Sequence, residues 1–266
     1  MTKKYGFQVN NMDLAYKIIL NFFPRTWLIK ISLFLQPILK IYFKGNTFID
    51  PIDGSSYRKF LPYGYKNIRK NALCPGTFSL ERHRYLWLYL YKETNFINEK
   101  LKVLHVAPEQ IFYKKFKKIN YWNYTTIDLN SPLADIKADL CNLPFNDNTF
   151  DLILCNHVLE HINDHVMALK EIYRVLKKGG TGILQVPIDL DRERSYENNE
   201  IKDFKKRTEV FGQYDHVRIY GKDYFKLLAS VGFDVNPLDY LASLDKKTCE
   251  LYCLPKKEKI PIVYKN

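Results

Sequence analysis

Four short apolar runs between residues 101 and 187 constrain the fold of this chain more than any other feature. They lie at 103–107, 124–127, 136–138 and 150–155, and they alternate with stretches of helical spacing. This alternation predicts an α/β fold built on a mostly parallel sheet. Ligands of parallel sheets bind at the carboxyl ends of the strands, so the polar residues after each run are candidates for a ligand site.

The polar residues follow these runs in a regular order. The second run ends on Asp128, the third ends on Asp139, and the fourth opens into Asn156 and His157. Asp128 lies 21 residues beyond Ala107, close to where an acid meets ribose hydroxyls in nucleotide-binding βαβ units. The pattern therefore indicates a ligand as well as a fold.

Composition and charge restrict the class of protein. With 266 residues and 46% hydrophobic content, the chain is long enough to bury a full core. Its five cysteines are scattered and no cleavable signal precedes them, so we expect reduced thiols in a cytoplasmic protein. Residues 1–100 carry 16 Lys and Arg against 6 Asp and Glu. That basic region is either a solvated surface or suited to nucleic acid, acidic lipid or a phosphorylated carrier.

The first 44 residues include an aromatic, apolar segment, 12–44, which Pro24 and Pro37 interrupt. Its longest uncharged stretch, 31–39, is too short for a membrane span, which needs about 20 apolar residues. The prolines predict two short helices. The sequence leaves open whether these helices dock on the main domain or lie on an anionic membrane surface.

Two turns at 50–54 and 74–77 share an X-Pro-X-X form that is typical of zinc knuckles. Twenty residues separate Asp53 from Cys74, as expected for a pair of knuckles. Only Cys74 supplies sulfur, beside Asp50, Asp53 and Thr77. We therefore predict a ribbon that keeps its shape without a metal, held by the packing of aromatic residues.

An apolar helix is predicted over 80–91, starting at Ser79, with Arg82, His83 and Arg84 in its first turns. These three residues either form surface ion pairs or help to bind an anionic substrate. We expect the imidazoles of His83 and His165 on the surface.

Six elements in order resemble the class I S-adenosylmethionine-dependent methyltransferases, in the group with Val-Leu-Glu-His after the fourth strand. They are the first strand with its turn, Asp128, Asp139, Phe-Asp at 150–151, Val-Leu-Glu-His at 158–161 and Arg-Val-Leu-Lys-Lys-Gly-Gly at 174–180. The Leu-His-x-Ala-Pro-Glu turn at 104–109 and the earlier knuckles are similar to a subgroup linked to bacterial surface polysaccharides.

The resemblance implies a Rossmann-like, mostly parallel sheet with helices on both faces over residues 97–266. A small, basic, helical and ribbon-like region would precede it over 1–96. It also implies S-adenosyl-L-methionine as cofactor, with Asp128 on the ribose and Asp139 on the adenine amino group; a cap or loop role is the alternative for either acid. The implied cofactor-binding residues are His105, Ala107, Glu109, Asp128, Leu129, Asp139, Leu140 and Asn156.

The turn after the first strand departs from the family pattern. That turn is usually rich in glycine and preceded by an acid, whereas residues 105–110 contain no glycine. Glycine permits positive φ and a close approach of the cofactor. We therefore expect this turn to follow a different path, and Glu109 to take the cofactor's amino group in place of the missing acid.

His157 and His216 are the candidate catalytic residues, because a histidine base suits an acceptor hydroxyl near neutral pH. His157 follows the fourth strand, and His216 lies in the insertion where this fold commonly forms its acceptor pocket. Glu160 and His161 have three open interpretations: structural support, catalysis by His161, or metal binding with His157, as in ubiquinone-pathway O-methyltransferases. We expect no metal.

Three predictions concern the remainder of the chain. Asp164 caps a helix that Gly179 and Gly180 terminate, ahead of a fifth strand at 181–186. Residues 189–207 are highly charged and form either a mobile lid or a solvated excursion. Cys249 and Cys253 lie on a closing antiparallel strand, too far apart for a shared metal or disulfide.

The sequence thus predicts a methyltransferase for a small or carrier-linked acceptor, with a sugar hydroxyl as the favoured group. Two alternatives stay open. One is methylation of RNA or protein, with the basic region as the docking surface. The other is a binding protein that kept the fold without the activity. Peripheral contact with an anionic membrane is compatible with the basic region.

Overall fold

The computed structural model describes residues 25–64 and 67–266, with side chains from residue 34 onward. It begins with helix α1 (Arg25–Tyr42), which runs through Pro37 without a break. The prediction that this proline separates two helices is wrong, since Leu39 and Phe43 pack the end of α1 on a small core that offsets the lost backbone bond. The first part of the apolar segment, 12–24, lies outside the described residues.

Two antiparallel strand pairs follow α1. Strand β1 (Lys44–Ile49) pairs with β2 (Ser56–Tyr57), and β3 (Leu61–Tyr63) pairs with β4 (Arg69–Leu73). The turns at 50–55 and 74–79 have the same hydrogen-bond pattern. In each, the first residue donates its N–H to the carbonyl five positions on and accepts from the N–H four positions on, at 2.8–3.0 Å.

Hydrogen bonds join these two turns where a knuckle would hold its metal. The Asp50 carboxylate accepts from the Ser79 hydroxyl at 2.8 Å and from the Thr77 hydroxyl. Asp53 pairs with Lys40 at 2.9 Å. Cys74 is fully buried, and burial beside Asp50 raises the pKa of its thiol to about 12. Hydrogen bonds to Asp50 therefore join the two turns, and an ion pair joins the first turn to α1.

The centre of the protein is a seven-stranded sheet in the order β12-β13-β9-β8-β5-β6-β7. Its strands are β5 (Leu101–Val106), β6 (Trp122–Asp128), β7 (Ile136–Lys137), β8 (Phe150–Asn156), β9 (Leu176–Gln185), β12 (Asp234–Leu238) and β13 (Ile260–Tyr264). Six of these strands run in the same direction, and β13 runs opposite to them. The predicted Rossmann-like fold is confirmed, and the strand order reverses between β5 and β8, where such sheets open a ligand crevice.

Helices cover both faces of the sheet. On one face α4 (His165–Val175) and α6 (Tyr224–Val231) pack against β8 and β9. On the other face α2 (Glu81–Lys92) and α3 (Gln110–Phe116) pack against alternate residues of the same strands. Helix α2 thus belongs to the core of the sheet.

The start of helix α4 agrees with the prediction from the sequence, but its end does not. Asp164 caps it as predicted, since its carboxylate accepts from the Met167 N–H at 2.9 Å. The helix ends at Val175, before Gly179 and Gly180, because β9 starts at once with Leu176 paired to Phe150. The two glycines therefore lie within the strand segment, where Gly179 has a φ of +73°.

The charged segment and the C-terminal cysteines also differ from expectation. Within 189–207, β10 (Tyr196–Glu197) pairs with β11 (Arg218–Ile219), and α5 (Phe204–Phe211) begins. Cys249 lies in α7 (Lys246–Leu251), which Asp245 caps, and Cys253 follows it. The closing antiparallel strand is β13 instead. None of the helices over the described residues is long and apolar enough to cross a membrane.

Arg84 connects three parts of the fold. It is fully buried, and its guanidinium donates to the carbonyls of Ala72, Ser79, Tyr252 and Cys253 at 2.7–3.1 Å. The interpretation of Arg84 as a substrate ligand is wrong, because these carbonyls occupy its donors.

We expect Arg84→Met to lower the free energy of unfolding by about 3 kcal/mol or more, since each buried acceptor left unpaired costs about 1–3 kcal/mol. Urea denaturation measures this loss. Arg82→Met is the matched control, because the buried Nε–H of Arg82 donates to no carbonyl among the described residues. Equal losses in the two variants would contradict the role of Arg84.

Candidate functional site

A cavity of about 2380 Å³ opens at the carboxyl ends of β5, β6 and β8. Ligand pockets usually measure about 300–1000 Å³, so this cavity has room for two ligands. Its strand-end half is lined by residues of 106–110, 127–133, 138–140 and 156–162. Its outer half is lined by residues of 63–83 and 241–259. The implied cofactor residues and both candidate catalytic histidines line the cavity, except His105.

The turn after β5 adopts the conformation that a glycine would take. Ala107 has a φ of +48°, in the left-handed region, and its N–H donates to the Ile127 carbonyl at 2.7 Å. The expectation that the missing glycine forces the chain out of this conformation is therefore wrong at Ala107. Alanine tolerates the left-handed region at a cost of about 1–2 kcal/mol.

His105 lies behind the cavity wall and supports Glu109. Its Nδ1 contacts the Tyr124 hydroxyl at 2.7 Å, and its Nε2 contacts Glu109 Oε2 at 2.8 Å. Burial opposes ionisation of Glu109, but the hydrogen bond and charge of His105 lower its pKa to about 2. The second carboxylate oxygen, Oε1, is buried and has no hydrogen-bond partner among the described residues. Glu109 thus offers a charged, unfilled acceptor to the cavity.

Asp128 and Asp139 each use one oxygen within the protein. Asp128 Oδ1 accepts from the N–H groups of Asn130 and Ser131 at 2.7 Å, which fixes the loop after β6. Asp139 Oδ1 accepts from the Cys141 N–H at 2.9 Å. Both therefore have the predicted alternative role in a turn, and each retains a second oxygen at the cavity. Leu129 is exposed and Leu140 is buried, next to these acids.

The end of β8 holds several buried polar atoms without partners. Five buried side-chain atoms there have no hydrogen-bond partner among the described residues. They are Oδ1 and Nδ2 of Asn156, both carboxylate oxygens of Glu160, and Nε2 of His157. His157 has a φ of +55°, and its Nδ1 lies 3.3 Å from Glu160 Oε1. Buried polar groups normally have partners, so these atoms indicate a ligand-binding surface.

Three histidines surround the Glu160 carboxylate. One ligand atom from each of Glu160, His161 and His216 lies within 4.8 Å of the others, a separation that a metal ion could bridge. Burial opposes ionisation of Glu160, but His157, His161 and His216 lower its pKa below the usual value. Burial also lowers the pKa values of His157 and His216, which keeps both rings neutral near pH 7.

The burial of His83, in the outer half, differs from the prediction. Its side chain is 7% exposed, so the prediction of a surface position is wrong for this residue. His165 lies outside the cavity lining and is half-buried, with its Nδ1 2.6 Å from the Tyr220 hydroxyl. The ring of His83 packs on Phe112 of α3 at 5.5 Å between centroids. Glu258 and Arg82 line the same half of the cavity. Arg82 and His83 were possible ligands of an anionic substrate from the sequence, but no spacing signal indicates Glu258, because its neighbours come from distant segments.

Glu258 gives this half of the cavity a pH-dependent charge. Burial raises its pKa from 4.5 to about 7, and nearby Arg82 opposes the shift. The unfolded chain ionises this group above pH 4.5, whereas the folded protein keeps it protonated up to about pH 7. Stability is therefore expected to fall as the pH rises through this window, and to level off above it.

We expect Glu258→Gln to raise the Tm at pH 8 and to leave it nearly unchanged at pH 4, where the native carboxyl is already neutral. Thermal denaturation followed by circular dichroism measures both values. Equal shifts at the two pH values would show that the effect does not come from ionisation.

Comparisons with known proteins agree with this geometry. Residues 105–184 match the family model described as "Methyltransferase domain". The uncharacterised protein MJ0638 of Methanocaldococcus jannaschii is 33% identical over 138 residues, 49% of this chain and 56% of that protein. Demethylmenaquinone methyltransferase of Staphylococcus epidermidis is 47% identical over 45 residues, 17% of this chain and 19% of that enzyme. The chain thus spans about half, or less, of the curated relatives it matches.

A solved structure shows the same fold over most of the chain. The crystal structure of the [4+2]-cyclase SpnF has a TM-score of 0.51 and 15% identity, and covers 81% of this chain and 91% of its own. The comparison supports the Rossmann-like architecture. Residues 105–184 thus match a methyltransferase-domain model and lie on this fold.

Proposed function

We propose that this chain transfers a methyl group from S-adenosylmethionine to a small or carrier-linked acceptor, with a sugar hydroxyl as the favoured acceptor. One observation carries the proposal. Unpaired buried polar atoms of Asn156, His157 and Glu160 lie at the end of β8, in a cavity whose other strand ends present Asp128 and Asp139. A cofactor and an acceptor fit side by side in the available volume.

The strand-end half supports binding of the cofactor. We assign Asp128 Oδ2 to the ribose hydroxyls, because one carboxylate oxygen has two lone pairs for two donors. Asp139 would accept from the adenine amino group, with Leu129 and Leu140 beside the ring. Glu109 Oε1 would accept from the ammonium group of the methionyl end. His105 acts through Glu109 rather than by contact with the cofactor.

The chemistry requires an aligned acceptor and a proton acceptor. When bound, S-adenosylmethionine supplies an electrophilic methyl group on a positively charged sulfur. The carboxylate of Glu160, 3.3 Å from His157 Nδ1, favours the tautomer with the proton on Nδ1. His157 Nε2 is then the free base that takes the proton of an acceptor hydroxyl. His216, on the other side of Glu160, is the second candidate base.

Several features bear on the acceptor. The outer half presents charged groups of both signs, including Lys257, Glu258 and Lys259, which suit a polar acceptor. The subgroup resemblance of the 104–109 turn favours a sugar. The name demethylmenaquinone methyltransferase belongs to a relative matched over 45 residues, only 17% of this chain.

We infer that the N-terminal strand pairs are a zinc ribbon that has lost its metal. The identical turn geometry and the Asp50 contacts to Thr77 and Ser79 support this interpretation. The exposed apolar side chains of Phe34, Ile38 and Ile41 on α1 are compatible with the peripheral membrane contact considered from the sequence.

Isothermal titration calorimetry with S-adenosylhomocysteine tests the proposal first. We expect micromolar binding to the purified protein. The protein is then incubated with S-adenosylmethionine and a panel of nucleotide sugars, and mass spectrometry detects methylated product. If S-adenosylhomocysteine does not bind, the proposal is contradicted, and a binding protein without methyltransferase activity is favoured. Cofactor binding with methylation of RNA or protein, but no sugar, would refute the acceptor class alone.

A further inference from the structure

The first turn of α2 places three basic residues in a row, and only one of them is saturated by the fold. Arg84 donates to backbone carbonyls on three segments. Arg82 and His83 face the cavity instead. The N–H donors of Arg82 and His83 therefore have a different environment from those of Arg84, which indicates a role other than joining segments of the fold.

The protonation of His83 follows from its neighbours. The Leu80 N–H donates to His83 Nδ1 at 3.1 Å, so Nδ1 is the unprotonated nitrogen. Burial, and then the charge of Arg82, lower the pKa of His83 well below 6.5, so the ring is neutral. Its single proton is therefore on Nε2. That N–H is buried and has no acceptor among the described residues.

Arg82 is in the same situation. Its Nε–H is buried without a hydrogen-bond partner among the described residues. The Glu258 carboxyl is near enough for the charge of Arg82 to affect its pKa, but it does not accept from this N–H. A buried guanidinium donor without a partner is costly, and its planar group matches a carboxylate or phosphate. Arg82 thus retains a buried donor for an anionic ligand.

An unfilled acceptor lies beside these two unfilled donors. His83 packs on Phe112 of α3, and α3 begins directly after Glu109, whose Oε1 is buried and unpartnered. The charges of Glu109 and His83 affect each other's pKa. The His83 donor, in the outer half, and the charged Glu109 acceptor, in the strand-end half, therefore lie close together, with Arg82 next to His83 in the chain.

We propose that this cluster binds the amino-acid end of the cofactor. Arg82 and His83 donate to its α-carboxylate, while Glu109 accepts from its α-ammonium group. The assignment rests on the proposed function and extends it to two residues outside the methyltransferase-domain match at 105–184. Both opposite charges of a zwitterion meet a complementary group there, whereas an acceptor phosphate would leave Glu109 unpaired and repelled.

Two ligands separate this assignment from other roles of Arg82. S-adenosylhomocysteine carries the amino-acid group, and 5′-methylthioadenosine has the same nucleoside and sulfur without it. Calorimetry with Arg82→Gln is expected to show S-adenosylhomocysteine binding weakened by about 10- to 100-fold, because a hydrogen bond to a charged group is lost. Binding of 5′-methylthioadenosine is expected to change by less than about 2-fold.

Two further variants complete the test. His83→Asn keeps an acceptor for the Leu80 N–H and removes the Nε2 donor, so we expect the same selective loss. Lys246→Gln removes one positive charge from a well exposed side chain of the outer half and serves as the charge-matched control. It is expected to affect neither ligand.

The outcomes are distinct. If the wild-type protein binds neither ligand, the proposed function fails together with this assignment. If it binds both, and Arg82→Gln weakens both equally or neither, the assignment alone is overturned. An effect of Arg82→Gln confined to the KM of an acidic acceptor would place the anion on the acceptor instead.

Discussion

Asp128→Ala is expected to weaken the binding of S-adenosylhomocysteine by at least about 100-fold. The variant removes an ionised acceptor for two ribose hydroxyls, and each such bond contributes about 1.5–3 kcal/mol. A loss of about 1.4 kcal/mol corresponds to a tenfold change in Kd. Calorimetric titration of the two proteins under identical buffer conditions measures the ratio.

The second role of Asp128 requires a matched variant. Because Oδ1 holds the Asn130 and Ser131 N–H groups, alanine also loosens the loop after β6. Asp128→Asn keeps an oxygen for those two donors and replaces Oδ2 by an amide nitrogen. We expect Asn to retain the wild-type Tm and still lose most of the affinity. Retained affinity in Asp128→Asn would mean that the ribose lies elsewhere.

His157→Asn is expected to lower kcat by about 100-fold or more, the range that general-base catalysis contributes. Asparagine is chosen because it tolerates the positive φ of this position better than alanine does. Affinity for S-adenosylhomocysteine is expected to stay within about 2-fold of wild type. Methyl transfer to an acceptor found by mass spectrometry gives the rate.

The pH profile distinguishes a base from a structural residue. Burial, with Arg82, lowers the pKa of His157, so the neutral base predominates above pH 6.5 and is lost as the pH falls through the lowered value. We expect kcat/KM to be flat at pH 7–8 and to decrease only on the acid side. His216→Ala should also abolish turnover without loss of cofactor affinity. Unchanged turnover in either variant removes that histidine from the mechanism.

The strand-end half of the cavity was predictable from the sequence for a physical reason. A parallel strand that is buried on both faces reads as a short apolar run, and its carboxyl end is where the pattern turns polar. Asp128 and Asn156 lie at such ends in the structure. Asp139 lies two residues beyond β7, which is an exposed edge strand. Their positions follow from local sequence together with one rule of sheet topology.

The outer half was not predictable in the same way. Arg82, His83 and Glu258 meet through contacts between residues more than 100 positions apart, which no local pattern records. A surface position was predicted for His83, whose ring packs on Phe112 of α3. Pro37 shows a related limit, since tertiary packing keeps one helix through a residue that usually interrupts it. At Cys249 the prediction of a strand overlooked a local signal, the helix cap at Asp245.

Helix α2 has a consequence for the engineering of this chain. Its side chains fill one face of the sheet, and Arg84 ties the preceding strands to the segment around Tyr252. A fragment that starts after Lys92 would present that apolar face to water and would associate through it. Recombination with a related enzyme should therefore exchange everything from Ser79 onward as one unit, so that the helix travels with the sheet it covers.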